Sequence, residues 1–304
     1  MLPFILFSMF SAWAQEDSLV CTVMPVTELS DLASEITNIT NKVLYDSLAE
    51  ECPKRPPYPD QFSGINNLHD LKMEIEIKFR ALGINPRWGD HLGAGTWERF
   101  RNNPEDRARL KRLANITYSA LSQYPRNFLR NMNFRRVYFA KNLQVIGQMR
   151  KAMPAPESNA LIYADNNDLQ CEPGMELRVH HEFYHFLEGK KNGDMHFNDP
   201  SWAAMNDSKH QYSSNAAQTY SCAGGFHNTG HSQPGFVSRY ATTAIEEDKA
   251  EVFAWMMTKG YGSRVQNWTL NDPILKNKVD YLQRFFNTQD NRMNADFFQR
   301  STAE

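Results

Sequence analysis

Along residues 68–82 the apolar side chains Leu68, Leu71, Ile75, Phe79 and Leu82 recur at steps of three or four. That period places them on one face of a helix, and Gly83 is suited to end it because glycine readily takes the left-handed closing conformation. The alternation of Met73, Ile75, Ile77 and Phe79 equally admits a strand. Asn103-Pro104-Glu105-Asp106 supplies an N-cap residue, a proline at the first helical position and acids in the first turn. A second helix is therefore predicted from there to about Tyr124. Its Arg107, Arg109, Lys111 and Arg112 read as a solvated face rather than an anion site. Two short runs rich in β-branched and aromatic residues, 136–140 and 159–164, are the strand candidates, and the proline-containing stretch 153–156 reads as a turn between them. Upstream, 32–48 reads as a helix that the proline-rich stretch 53–58 cannot continue.

Length and composition allow a sizeable core. The chain has 304 residues, 41% hydrophobic and 22% charged, enough for one large or two small domains. A net charge of -2 gives no electrostatic reason to expect a nucleic acid or an anionic membrane as partner. Residues 1–14 form an apolar run ending in Ala12-Trp13-Ala14, the small-x-small pattern of a secretory signal peptide, although the positively charged start is missing. Removal near Gln15 and a secreted, extracellular protein are expected. Later stretches fall short of the roughly 20 apolar residues that span a bilayer. In an oxidising compartment Cys21, Cys52, Cys171 and Cys222 are expected to form two disulfide bonds among three connectivities, Cys21 with Cys52 being favoured. Asn38, Asn115, Asn206 and Asn267 head Asn-x-Ser/Thr sequons, the acceptor signal of a glycoprotein.

The chemistry is concentrated in His181-Glu182-Phe183-Tyr184-His185, an HExxH motif. Residues four apart share a helix face, so both imidazoles can bind one zinc while Glu182 stands beside the metal-bound water as general base. Leu177, Val179, Phe183, Phe186 and Leu187 surround the motif with apolar positions, as suits a helix buried on most sides, and Gly189 reads as its stop. A catalytic zinc normally takes three protein ligands and keeps one open position. The metzincin pattern does not supply the third, because Glu188 and Lys191 stand where it requires glycine and histidine. Sixty-six residues beyond His181, Glu247 offers a carboxylate on a helix predicted from about Ala244 to Lys259. Thr243 and Glu246 form a capping-box pattern at its start and Gly260 closes it. Glu251 lies one turn after Glu247, placed to hydrogen-bond a ligand histidine.

On HHEFYH and GFVSRYATTAIEEDKAEVFA, with weaker likeness in YPRNFLRNMNFRRVYFAKNLQV and NALIYADNN, the chain resembles the zinc-binding metallopeptidases of gluzincin type related to the anthrax lethal factor catalytic domain. The resemblance runs from about Tyr118 to the C-terminus. It implies that Tyr240, seven residues before the ligand glutamate, faces the open zinc position and stabilises the oxyanion. It also implies that the run 159–164 is an edge strand above the cleft, able to bind an extended substrate backbone.

Other polar residues read as structural. His180 points about a hundred degrees around the helix from His181 and is left out of the ligand set. Glu246 and Asp248 read as solvated neighbours of Glu247. The glycine-rich stretch 222–235 reads as a flexible loop over the cleft, a substrate lid or an ordinary connection. Its His227 and His231 are weaker candidates for the metal.

The expected fold is α+β and mainly helical: a zincin-like core with a small sheet, the HExxH active-site helix and a helical C-terminal subdomain delivering Glu247. A signal peptide at 1–14, a mostly helical region at 15–117 and a catalytic domain at 118–304 follow in order. The expected activity is hydrolysis of a peptide bond in a protein or peptide substrate, with one Zn2+ per chain held by His181, His185 and Glu247. The rivals are a binding or toxin-like protein that keeps zinc without turnover, against which the intact Glu182 argues, and a hydrolase of a non-peptide amide.

Overall fold

The structure is a computed structural model that describes residues 57–89, 96–125, 127–145, 148–166, 172–212, 229–238 and 240–302. The apolar leader, the four cysteines, the helix expected at 32–48, Asn38 and His227 lie outside the described residues.

Helix α1 (Leu68–Ala81) settles the ambiguity at its sequence in favour of the helical period. Leu71, Ile75 and Phe79 are buried, while Met73 and Ile77, which only a strand would have turned inward with Ile75, are exposed. Strands β1 (Asn85–Arg87) and β2 (Thr96–Glu98) follow. Helix α2 (Pro104–Ser122) begins as predicted, the Asn103 side chain accepting the Asp106 N–H. The junction expected at 117/118 falls inside this helix. The short helix α3 (Phe128–Asn131) leads to β3 (Arg136–Ala140), β4 (Asn142–Val145), β5 (Gln148–Met149), β6 (Ala152–Ala155) and β7 (Ala160–Ala164). The main sheet has the order β1-β3-β7-β6, with β1, β3 and β7 parallel and β6 antiparallel.

That order corrects two readings. The strand at 159–164 is internal: every residue of β7 is buried, as a continuous apolar run between two neighbours should be. The edge position belongs to β6, in the stretch read as a turn, and Pro154 is tolerated there because a proline in a sheet is confined to an edge. Nor is the basic face of α2 wholly solvated. Arg109 is buried and meets Asp165 Oδ1 at 2.5 Å, and Arg112 meets Asp165 Oδ2 at 2.5 Å. Asp165, fully buried just beyond β7, is thus neutralised by two guanidinium groups, and the helix is fastened to the end of the sheet.

The long helix α4 (Glu172–Asn192) packs on β6 and β7 and is buried along most of its length. Phe183 and Phe186 are inaccessible and sit among Tyr124, Phe128 and Phe134. Each such ring removed from water contributes on the order of 1.5–3 kcal/mol. The helix runs through Gly189 and ends before Gly193, whose φ of +75° supplies the left-handed turn expected at Gly189. Gly189 has another role: a Cβ there would meet Pro156 Cγ at 2.7 Å and Met195 Cγ at 2.9 Å, so the absence of a side chain lets the segment after β6 touch the helix.

Beyond the short helix α5 (Pro200–Ala203), the described part of the glycine-rich stretch is a β-hairpin, β8 (Thr229–Gln233) with β9 (Phe236–Ser238), rather than an open loop. Helices α6 (Ile245–Met257), α7 (Gly262–Thr269), α8 (Pro273–Gln289) and α9 (Ala295–Thr302) complete the chain. The predicted capping box at the start of α6 is not formed, because Thr243 Oγ1 donates to the Tyr240 carbonyl and Ala244 caps through its backbone alone. From Asp248 to Met257 every residue of α6 is buried, and most buried apolar side chains from Tyr58 to Phe298 form one main core that includes α4 and α6, beside a smaller cluster with Tyr138, Leu143 and Ile162. Among the described residues no helix is long and apolar enough to cross a membrane. The Asn115 sequon is closed to modification: the residue is buried, its Oδ1 accepts the Gln61 N–H and its Nδ2 donates to Asp60.

Two consequences can be measured. Gly189→Ala, which at an open helical position would stabilise by about 1 kcal/mol, should instead cost roughly 1–3 kcal/mol in denaturant unfolding because the added methyl overpacks against Pro156. A gain in stability would show that this contact is absent. Asp106 is buried, which alone would raise its carboxyl, but the Arg101 N–H and the Lys141 ammonium outweigh burial and hold it below the ordinary aspartate value. A carboxyl lowered on folding contributes stability above its unfolded pKa and loses it as pH falls through the folded value. Asp106→Asn should therefore be less stable than wild type at neutral pH, the gap closing below about pH 4.

Candidate metal centre

The site forms where α4 crosses α6. His181 and His185, four residues apart, project from one face of α4, and Glu247 in the first turn of α6 reaches toward them. His181 Nε2 lies 3.1 Å from His185 Nε2 and 3.1 Å from Glu247 Oε2, and His185 Nε2 lies 3.2 Å from the same carboxylate oxygen. These residues are the group among the described histidines, cysteines, aspartates and glutamates whose ligand atoms converge within 4.8 Å.

The hydrogen bonds behind the imidazoles decide what that convergence means. His181 Nδ1 faces Glu251 Oε1 at 2.9 Å, and His185 Nδ1 faces the Met195 carbonyl at 3.4 Å. Both partners only accept, so each Nδ1 carries the proton and each Nε2 presents its lone pair inward. Two lone pairs and a carboxylate oxygen then meet at the corners of a triangle, an arrangement suited to a cation. The size also fits: ligand bonds of about 2.0–2.1 Å at tetrahedral angles place donor atoms about 3.3 Å apart. Titration behaviour agrees. Burial opposes charge on His181, yet hydrogen bonds to Glu247 and Glu251 hold its imidazole well above the ordinary range. Burial likewise opposes charge on Glu247, yet the adjacent imidazoles hold its carboxyl well below the ordinary range. The pocket favours positive charge, which a metal ion would supply without protonating these three groups.

Glu182 stands next to His181 and is partly exposed. Burial raises its carboxyl above the usual glutamate value, with the two imidazoles opposing, which makes it a readier proton acceptor. Tyr240 opens the 3-10 turn Tyr240–Thr242, its ring 5.9 Å from that of His181 and its hydroxyl hydrogen-bonded to Glu247. Burial, then the Glu247 charge, keep the phenol well above its ordinary pKa, so it remains an O–H donor. Glu251 is fixed in turn by Ser238, whose hydroxyl donates to Oε2 at 2.7 Å while accepting the Ala241 N–H at 3.0 Å.

The remaining readings divide. His180 is fully buried, with Nδ1 2.8 Å from the Tyr124 hydroxyl, and takes no part in the centre. His231 is likewise elsewhere, stacked on Trp268 and bonded to the Phe236 carbonyl. Asp248, read as solvated, is fully buried and holds Lys278, Trp202 and Tyr212. Glu188 is also buried and paired with the buried Lys249, whose ammonium also donates to the Phe197 carbonyl at 3.0 Å. These two ion pairs and Ser238 were not singled out from sequence; a charged residue on an otherwise apolar buried helix was the available signal.

Fold and site together bring two histidines and one carboxylate into a group that could hold a metal ion, with a second carboxylate, Glu182, adjacent in the chain. The chain belongs to the family described as putative zinc-binding metallo-peptidase, whose sequence profile matches residues 97–289. It is also similar to a crystal structure of a putative zinc-binding metallo-peptidase from Bacteroides caccae ATCC 43185, with 17% identity, 76% of this chain and 90% of that one covered, and a TM-score of 0.46. No curated protein matches the chain.

Replacing Glu251 by alanine should weaken zinc binding by about 10–100-fold, as loss of a partner that orients a ligand histidine does elsewhere. Competition against a chelating dye measures it, and an unchanged affinity would contradict the orienting role.

Proposed function

We propose that the protein is a zinc-dependent peptidase of gluzincin type, related to the lethal factor catalytic domain, that hydrolyses peptide bonds in protein or peptide substrates. The convergence of His181, His185 and Glu247 beside Glu182 carries this reading. Its supports are the family membership and a donor set suited to one zinc per chain. Bound zinc supplies a Lewis acid that polarises the scissile carbonyl and makes water more acidic.

The chain's own groups do the rest. Glu182, with its raised carboxyl, takes the proton from the attacking water and delivers it to the departing amine. Tyr240 donates its hydroxyl to the oxygen that gains charge, exchanging its bond to Glu247 for one to the reacting group. Glu251, held by Ser238, keeps the His181 imidazole in the tautomer that leaves Nε2 available. The outer edge of β6, which ends the main sheet and packs on α4, offers backbone groups to an extended peptide. An export signal at 1–14, and with it secretion, disulfides among the four cysteines and glycans on accessible sequons, belong to the same proposal; Asn267, exposed on α7, is such a sequon.

The decisive experiment combines zinc content with cleavage of a randomised peptide library. Glu182→Gln should retain one zinc per chain and lose cleavage by 10²-fold or more. Glu247→Ala should lose both metal and activity. Zinc bound without cleavage by the wild type would favour a binding protein, and full zinc affinity in Glu247→Ala would remove Glu247 from the ligand set.

A further inference from the structure

The two imidazoles of the centre are oriented in different ways. His181 Nδ1 donates to the Glu251 side chain at 2.9 Å, whereas His185 Nδ1 donates to a backbone carbonyl, that of Met195, at 3.4 Å. Whatever fixes that carbonyl therefore bears on the metal centre, given the zinc-binding reading above. Residues 194–198, between the end of α4 and Asp199, belong to no helix or strand, so backbone ladders do not set their position. The bond from His185 also has little slack, since a retreat of a few tenths of an ångström would break it.

Side-chain contacts with both helices hold this strap. The Met195 side chain lies against Gly189 of α4, where a Cβ would meet its Cγ at 2.9 Å. His196 Nδ1 lies 3.4 Å from Glu246 Oε1, but His196 is largely exposed, and a surface pair of this kind contributes little. The strongest hold comes from Lys249 on α6. Its ammonium donates to the Phe197 carbonyl at 3.0 Å, two residues beyond Met195, and lies 5.1 Å from the centroid of the exposed Phe197 ring. Lys249 is fully buried, and the same ammonium is anchored by Glu188 on α4. A charge-assisted bond away from water is stronger than a neutral one, so the strap is fastened most firmly at Phe197.

We propose that Lys249 is a positioning residue for the metal centre. Through Phe197 it sets the Met195 carbonyl, and through that carbonyl the tautomer and orientation of His185. Helix α6 then supplies one ligand, Glu247, and orients both imidazoles, His181 directly through Glu251 and His185 at one remove through Lys249.

The test measures zinc affinity of the full-length protein by competition with a chelating dye, alongside denaturant unfolding of the metal-free protein. Lys249→Met alone would strand the Glu188 carboxylate, whose Oε2 has no other hydrogen-bond partner among the described residues, and would lose stability whatever the role of Lys249. Combining it with Glu188→Met replaces the buried pair by apolar side chains of similar length, a change that is often neutral or stabilising. The double variant should unfold near the wild-type denaturant concentration yet bind zinc about tenfold more weakly. In the zinc-loaded double variant the Nδ1–H proton of His185 should lose its protection from exchange while that of His181 keeps it. Phe197→Ala, at an exposed position, removes the ring contact and should weaken zinc binding by about two- to fivefold; it decides the matter if the double variant fails to fold. Wild-type zinc affinity in the folded double variant or, failing that variant, in Phe197→Ala overturns this inference and leaves the zinc reading intact, as does equal loss of protection at both imidazoles. Absence of zinc binding by the wild type overturns both.

Discussion

Three electron-pair donors aimed at one point are the constraint around which this molecule is arranged. His181, His185 and Glu247 come from two helices distant in sequence, and their donor atoms lie 3.1–3.2 Å apart. Their convergence depends on how the fold holds α4 and α6 in place. It does so with buried polar links, two between α4 and α6 and one set from α6 to its other neighbours. Glu251 bonds His181, Lys249 bonds Glu188, and Asp248, next to Glu247, is anchored by Lys278, Trp202 and Tyr212. Buried ion pairs of this kind contribute little net stability, but removing one partner leaves a charge stranded in the core, typically at a cost of 3–5 kcal/mol. We read them as fixing the register between the helices that carry the ligands. The aromatic packing of Phe183 and Phe186 supplies the apolar stabilisation beneath.

The local chemistry of these residues was legible in the sequence because it rests on helical geometry. Four-residue spacing puts His181 and His185 on one face whatever else the chain does, and the four residues from Glu247 to Glu251 do the same on α6. Helices with a strong cap and one apolar face, α1 and α2, could be read for the same reason. The structure brings together the residues that spacing had paired, and adds Ser238, which its residue type does not announce.

What could not be read depended on neighbours distant in sequence. The run at 159–164 and the stretch at 153–156 exchange roles because edge or centre is decided by the strands that pair, though the unbroken apolar run of β7 and the proline of β6 carried the hint. Arg109 and Arg112 resembled a solvated face because their partner, Asp165, is more than fifty residues away. The threonine and glutamate at 243 and 246 matched a capping pattern, yet the preceding 3-10 turn claims the threonine hydroxyl. Gly189 had the right type to stop a helix but is needed where Pro156 approaches.

The central claim is that these three donors hold a metal ion. Diffraction data collected on either side of the zinc absorption edge from crystals of the zinc-loaded protein test it most directly. The account predicts a single strong anomalous peak about 2.0–2.2 Å from His181 Nε2, His185 Nε2 and a Glu247 oxygen, absent below the edge. A peak bound elsewhere, or two imidazoles bound with Glu247 turned away, would contradict it.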